Sequence, residues 1–257
     1  MLQWLREVYT EPLFWQFAVA GTVVSVVSFL LFAVPMTAFA SKQPAWAERY
    51  RIQARAVNRR AIVRPAFGRF ALNSSVMALF TVASWPLLRL SNVHAGPLPP
   101  WYVIVLQVAF FVVLDDFLFY WLHRGLHEIR WLYKKVHSVH HRITTPWAIT
   151  GHYVHPVEYI LTAVVMLTGP ILLGCHVVTL YIWIVVRQWE AAEGHSGYDF
   201  PWSPTRLIPF SDGATHHDFH HAKVIGNYAG FFPWWDSALG TLSKGYAEHL
   251  AARRAAR

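Results

Sequence analysis

The chain has 257 residues, 55% of them hydrophobic and only 14% charged, with a mean hydropathy of +0.30; that is too apolar for an ordinary soluble domain and implies an integral membrane protein. The formal net charge of +8 does not argue for nucleic-acid binding, because the cations cluster between hydrophobic segments and not along one polar face. A single cysteine, Cys175, excludes an intrachain disulfide framework and any Cys-type zinc or iron–sulfur site, so metal chemistry has to use His and carboxylates.

Residues 14–39, FWQFAVAGTVVSVVSFLLFAVPMTAF, carry no charge and exceed the roughly 20 residues needed to cross a bilayer core, so they read as a first transmembrane helix, with Pro35 a candidate kink. No basic stretch, short apolar core and small-residue cleavage site begin this run, so it is expected to be retained and not removed as a signal peptide. Residues 41–69 then hold Lys42, Arg49, Arg51, Arg55, Arg59, Arg60, Arg64 and Arg69 against the single acid Glu48, the signature of a cytoplasmic loop. A second span covers about 70–90 and ends at SNVHAGPLPP, which has no Lys or Arg and so belongs on the opposite side.

A third span starts near Pro100 and returns as WYVIVLQVAFFVVLDDFLFYWLHRGLH, carrying Asp115 and Asp116 before the first histidine pair. After the histidine-rich stretch 123–155, the apolar region from Val157 to about Trp189 is broken by TGPILLG, which predicts a helical hairpin entering and leaving on the cytoplasmic side. The tail from His195 to Arg257 is more polar, aromatic-rich and punctuated by Pro and Gly, as suits a cap over the helix ends. The expected fold is therefore an all-α integral membrane protein with about three transmembrane helices, a helical hairpin and a cytoplasmic histidine-rich helical cap. It forms one domain over 1–257: an N-terminal transmembrane scaffold (1–100), a catalytic region (101–242) and a basic tail (243–257).

Fourteen of the fifteen histidines lie from His123 onward, with only His94 before them. His123 and His127 stand four apart at a helix end, and both His137, His140, His141 and His217, His220, His221 follow i, i+3, i+4 spacing, so each trio is expected to form one helical patch. Neutral imidazoles without thiolate favour iron or zinc, and eight such histidines exceed what one ion needs. A lone HxxxH is usually packing, and a His-rich sequestering tail is usually low-complexity; three clusters set in Trp-, Pro- and Gly-rich sequence predict a dinuclear metal centre. His155 and His195, at membrane boundaries beside Glu158 and beside Glu190 and Glu193, are expected further ligands. Asp116, two turns before His123, is expected to orient a ligand by accepting a hydrogen bond from its other ring nitrogen. Asp115 is read as the partner of an arginine, His152 and His216 as neighbours of the site, and His176 and His249 as bystanders.

The order DDFLFYWLHRGLH, HSVHHRITTPWAITGHYVHPVEY, EGHSGYDFPW and HHDFHHAKVIGNYAGFFPWWDSALGT resembles the fatty acid hydroxylase and sterol desaturase superfamily, and within it the sterol C4-methyl oxidase branch, over about residues 101–242. The resemblance implies a membrane oxygenase whose two iron ions use dioxygen and two electrons to hydroxylate an unactivated carbon of a membrane lipid, the C4 methyl of a sterol-like substrate foremost. It maps the three histidine boxes onto His123 and His127, onto His137, His140 and His141, and onto His217, His220 and His221, with His155 and His195 on the HPxE and HxGY histidines. Since GxGxxG is absent, electrons must come from another protein, and the basic loops suit an acidic donor such as a ferredoxin or a cytochrome b5 with its reductase.

Alternatives within this chemistry are hydroxylation or desaturation of an acyl chain, a carotenoid or another isoprenoid; outside it stand a zinc-dependent membrane hydrolase, a haem protein and a metal transporter. Ala, Arg and Trp richness points to a bacterial inner membrane, with the endoplasmic reticulum as the alternative.

Overall fold

The structure is a computed structural model that describes residues 1–55 and 57–255, apart from the side chains of Arg59, Arg60 and Arg254. Two of the eight cations of the predicted basic loop, and the last two residues of the tail, thus lie outside the described parts. No β-strand forms among the described residues; two isolated bridges, Arg51 with Tyr198 and His94 with His176, are present.

An amphipathic helix α1 (Leu2–Thr10) leads into α2 (Phe14–Lys42), whose first seven residues wind as a π-helix. Thr22 and Ser28 satisfy their hydroxyls on the carbonyls of Ala18 and Val24 one turn back, which lets polar residues sit in an apolar span. Pro35 lies inside α2 without ending it. Helix α3 (Arg59–Leu88) begins eleven residues before the expected boundary at 70, capped by the Asn58 side chain accepting from the Ala61 amide. Hydropathy misses those first turns because their arginines are polar yet good helix formers, so the basic loop is shorter than 41–69.

Helix α4 (Trp101–Glu128) is followed by the short α5 (Arg130–Lys135), and α6 (Pro156–Leu173) and α7 (Val177–Gly194) form the expected hairpin. Its tip turns on Gly174, at φ +57°, where a Cβ would stand 2.5 Å from the Asn92 side chain; only glycine fits that left-handed, crowded position. The tip is stitched to the turn after α3, with the His94 amide donating to the Cys175 carbonyl at 3.2 Å and the Val177 amide to the His94 carbonyl at 2.9 Å. This places the hairpin tip and the SNVHAGPLPP turn at the same end of the bundle, away from the histidine cap.

Four helices, α2, the 61–88 part of α3, α4 and α6, are long and apolar enough to cross a membrane. Their outer faces expose Val27 and Leu31, Leu72 and Leu79, Leu106 and Phe110, and Val164 and Leu172, a surface that water would penalise and hydrocarbon accepts. Helix α7 packs along α2 with Leu180, Trp183 and Ile184 buried, and so forms the inner wall of the bundle. The chain beyond it, with α8 (Pro204–Leu207), α9 (Ala214–Lys223), α10 (Trp234–Ala238) and α11 (Tyr246–Ala255), builds the cap. The basic segment docks there: the Gln53 amide donates to the Thr144 carbonyl and to Asp218, and the Ile52 amide to the Gly197 carbonyl.

Candidate metal centre

The last two turns of α4 project His123 and His127 towards the cap. His137, His140 and His141 lie on a short 3-10 helix (His137–Arg142), His195 follows the end of α7, and α9 carries His217, His220 and His221. Their ring nitrogens gather into two groups, one of His123, His127, His137, His141 and His220, the other of His140, His195, His217 and His221, each with its donor atoms within 4.8 Å of one another. Nine of the ten histidines proposed as ligands from sequence are thereby brought together.

The two trios do not form one patch each, as the spacing suggested. Within each HxxHH the i and i+4 histidines serve one group and the i+3 histidine serves the other. His137 and His141 join the five-membered group while His140 crosses to the four-membered one; His217 and His221 join the latter while His220 crosses back. Residues three and four apart share a helical face but diverge to either side of it, so one short segment can reach two adjacent positions. The His140 and His141 ring centroids are 5.6 Å apart.

Hydrogen bonds to the outer nitrogens fix which atoms face inward. Nδ1 of His123 lies 2.7 Å from the Tyr228 carbonyl, that of His220 2.6 Å from Gly226, that of His221 2.7 Å from Ile143 and that of His195 2.8 Å from Ala191. Nδ1 of His137 meets the Glu158 carboxylate at 2.8 Å. A carbonyl only accepts, so Nδ1 carries the proton and Nε2 the lone pair. Yet the Nε2 atoms of His195 and His221 stand 3.2 Å apart. Lone pairs that close repel unless a cation lies between them. Nitrogens bound about 2.0–2.2 Å from one ion stand about 3.0–3.5 Å from each other, which matches.

Protonation does not offer another escape. Burial, reinforced by the neighbouring imidazoles, holds His137, His140, His141, His217, His220 and His221 well below the usual histidine range. Burial brings His195 down to about 4. Neutral, inward-facing nitrogens with no thiolate among them fit iron or zinc.

Two sequence expectations are corrected. Asp116 does not touch a histidine: its carboxylate accepts from the amides of Gly230 and Phe231 at 2.8 and 2.7 Å and of Phe232 at 3.0 Å, while His123 takes the Tyr228 carbonyl instead. The heptad spacing put Asp116 on the right face, but three convergent backbone amides of the loop after α9 satisfy it first. Asp116 thus anchors the loop that orients His123. His155 joins neither group: it is half-exposed and its Nδ1 caps α6 by accepting from the Val157 amide at 3.2 Å. The preceding-proline position at Pro156 starts a helix there, and the cap claims the ring.

Asp115 pairs with Arg187 at 3.1 Å, and Arg187 also meets Glu190. His152 stacks on Phe29 at 3.8 Å and meets the Tyr159 hydroxyl through Nδ1; His216 lies 3.4 Å from Asp236. His176 caps α7 at the far end, and His249 packs on Phe219. Sequence reasoning noted Glu158 only as an acid beside His155. Its signal was its place in the first turn of α6, three residues after the capping histidine, where it points at the 3-10 helix. Asp236, which holds the Tyr228 and Ala229 amides at 2.8 and 2.9 Å, had no such signal.

Both groups open on one cavity, with an empty volume of about 1240 Å³ counting its mouth, whose inner end is formed by His123, His137, His140, His195 and His217. Its far wall is apolar, with Phe17, Met166, Leu167, Leu180 and Ile184.

A family model described as fatty acid hydroxylase matches residues 108–241. A very-long-chain aldehyde decarbonylase of Oryza sativa subsp. indica is 44% identical over 186 residues, which cover 71% of this chain and 68% of that one. A methylsterol monooxygenase of Arabidopsis thaliana is 39% identical over 206 residues, 77% of this chain and 75% of its own. A putative methylsterol monooxygenase of Dictyostelium discoideum is 46% identical over 155 residues, 60% and 58% of the two. No solved structure matches the chain.

Proposed function

Because the chain belongs to the fatty acid hydroxylase family, we propose that it is a membrane oxygenase that oxidises an unactivated C–H bond of a membrane lipid, foremost the C4 methyl of a sterol-like substrate. The observation that carries this reading is the cavity: an apolar slot between membrane helices that ends on nitrogens from both histidine groups. The methylsterol monooxygenases among the relatives favour the sterol. The aldehyde decarbonylase makes a very-long-chain aldehyde the competing substrate.

Two iron ions held by the nine histidines would supply the dioxygen activation and C–H cleavage that no acid, base or nucleophilic side chain can. In balance, one C–H bond, dioxygen, two electrons and two protons give a C–OH group and water. The chain's own part is positional. Carbonyls of Tyr228, Gly226, Ile143 and Ala191 hold four imidazoles in one tautomer, and Glu158 holds His137. The apolar wall takes the lipid body and excludes bulk water from the reacting end. Electrons come from a separate donor such as a ferredoxin or a cytochrome b5 with its reductase; the exposed Arg130, Lys134, Lys135 and Arg142 beside the centre would draw an acidic one. The basic segment 42–55 packs on the same cap, which supports a cytoplasmic site. The relatives named above are eukaryotic and support the endoplasmic reticulum; none supports a bacterial inner membrane.

The deciding experiment is metal quantification on anaerobically prepared wild type and His140→Ala, with oxygen-dependent product formation from 4-methyl sterols, acyl lipids and long-chain aldehydes read by mass spectrometry. Two irons per chain and a hydroxylated sterol are expected in the wild type, and loss of at least one ion and of product in the variant. Full metal and activity in His140→Ala, or stoichiometric zinc with hydrolysis and no oxygen dependence, would overturn it.

A further inference from the structure

Helix α4 sets the depth of the segment that follows it. Trp101 and Trp121, both exposed on α4, are twenty residues apart, about 30 Å along the axis, which matches a hydrocarbon core between two aromatic belts. Residues 122–128 carry the chain about 10 Å further, so α5 stands clear of the lipid. There Ile129 and Trp131 are 55% and 64% exposed, an apolar pair beside the exposed cations Arg130, Lys134 and Lys135 of the same short helix. Glu128, the one acid between residues 124 and 142, is already paired with Arg124 at 2.7 Å.

The half-buried Tyr133 joins this surface to the metal centre. Its ring packs 5.5 Å from His127, 6.3 Å from His141 and 6.4 Å from His137, and all three belong to the five-membered group. His127 is half-buried, while the other eight rings are buried. The cavity reaches the centre elsewhere. It touches three of the four rings of the other group, and of this group His123 and His137, but neither His127 nor Tyr133.

Resting on the oxygenase reading above, we propose that the α5 surface is the electron port: an acidic one-electron carrier protein seats on Ile129 and Trp131, and its electrons enter the five-histidine position through Tyr133 and His127. Opposite charge steers the carrier, and an exposed Trp is a residue type that anchors such contacts. A lipid surface is the poorer fit, because α5 lies beyond the aromatic belt. Each visit moves one electron: the carrier is oxidised once and a ferric ion held by the histidines becomes ferrous, so two visits supply the two electrons of the reaction. The Tyr133 ring bridges the gap and keeps its own oxidation state. Since port and cavity are separate, carrier and lipid can bind at the same time.

The test uses the full chain in detergent, loaded with iron, under anaerobic conditions and without lipid substrate. The probes are the soluble domain of a cytochrome b5 and a plant-type ferredoxin. Wild type is expected to bind at least one of them with an affinity that falls as salt rises. Lys134→Glu with Lys135→Glu, or Trp131→Ala, should weaken that binding about 10-fold at low salt at wild-type metal content. Tyr133→Leu should bind the carrier as wild type does yet slow the reduction of iron by bound carrier several-fold, followed as loss of ferric absorbance, whereas Tyr133→Phe keeps the rate. Binding of neither probe, undiminished binding in the surface variants, or equal reduction rates in Tyr133→Leu and wild type would overturn the proposal. Surface variants that lose affinity for vesicles of anionic lipid and not for the carrier would overturn it too. Failure of the oxygenase reading is seen separately, as iron reduced through this port with no oxygen-dependent product.

Discussion

Asp116 touches no histidine yet bears on the candidate metal centre through the loop that it holds. Its carboxylate gathers the amides of Gly230, Phe231 and Phe232, two residues beyond the Tyr228 carbonyl that orients His123. Asp116→Asn replaces one acceptor oxygen by a donor that faces those amides. We expect a loss of about 1–3 kcal/mol in stability and a lower metal content with every histidine intact, measured by thermal unfolding in detergent and metal analysis. His155→Ala should behave in the opposite way, removing a helix cap worth about 1 kcal/mol while metal stoichiometry stays at the wild-type value. Glu158→Gln should weaken metal binding by about 10–100-fold, since His137 loses its carboxylate partner. Acid acts through the same rings. His195 titrates at about 4 against an ordinary 6.5, so between those values the unfolded chain binds more protons than the native one. Stability of the metal-stripped protein should therefore be full above pH 6.5 and decline as the pH falls towards 4, which denaturation at a series of pH values would follow.

At the level of elements, the exchange of histidines between boxes was beyond the reach of spacing. Two HxxHH segments announce two helical patches; the partition of i and i+4 from i+3 depends on where α4, α7 and α9 meet, elements that begin at residues 101, 177 and 214. The spans were legible because hydrophobic length alone decides them: Phe14–Lys42, Trp101–Glu128 and the 156–194 hairpin agree with the reading in type and nearly in extent. The early start of α3 was not, because arginines hide a helix from hydropathy. Asp115's arginine partner could be anticipated, since an intramembrane acid needs one. Asp116's partners could not, being backbone amides with no sequence signature. The exchange has a measurable outcome. His220→Ala, though it lies in the third box, should empty the five-membered position, and His140→Ala, in the second box, the four-membered one. Each should leave about one ion per chain, and the double variant His140→Ala with His141→Ala, whose rings serve different groups, should lose both, whereas one patch per ion would leave one; metal counting reads the difference.

Across the whole molecule, the apolar outer faces of α2, α3, α4 and α6 suit the bilayer, while the cavity beside α7 is lined by residues of α2, α3, α4 and α6 as well as by the histidines. The metal ions would bind the native chain and not the unfolded one, so they should stabilise it in proportion to their occupancy. Chelation in detergent is expected to lower the unfolding temperature by several degrees, and reloading with iron to restore it; an unfolding temperature indifferent to both would show that the histidines close without a cation.

The crossing of His140 and His220 has one more consequence, for the order of events at the ribosome. Neither metal position is complete without α9, because His220 serves one and His217 and His221 the other. The earlier histidines therefore wait, inserted but unfilled, until α9 has been made. A nascent chain stopped before residue 217 should therefore hold no complete site, and metal could be acquired only after α9 has emerged.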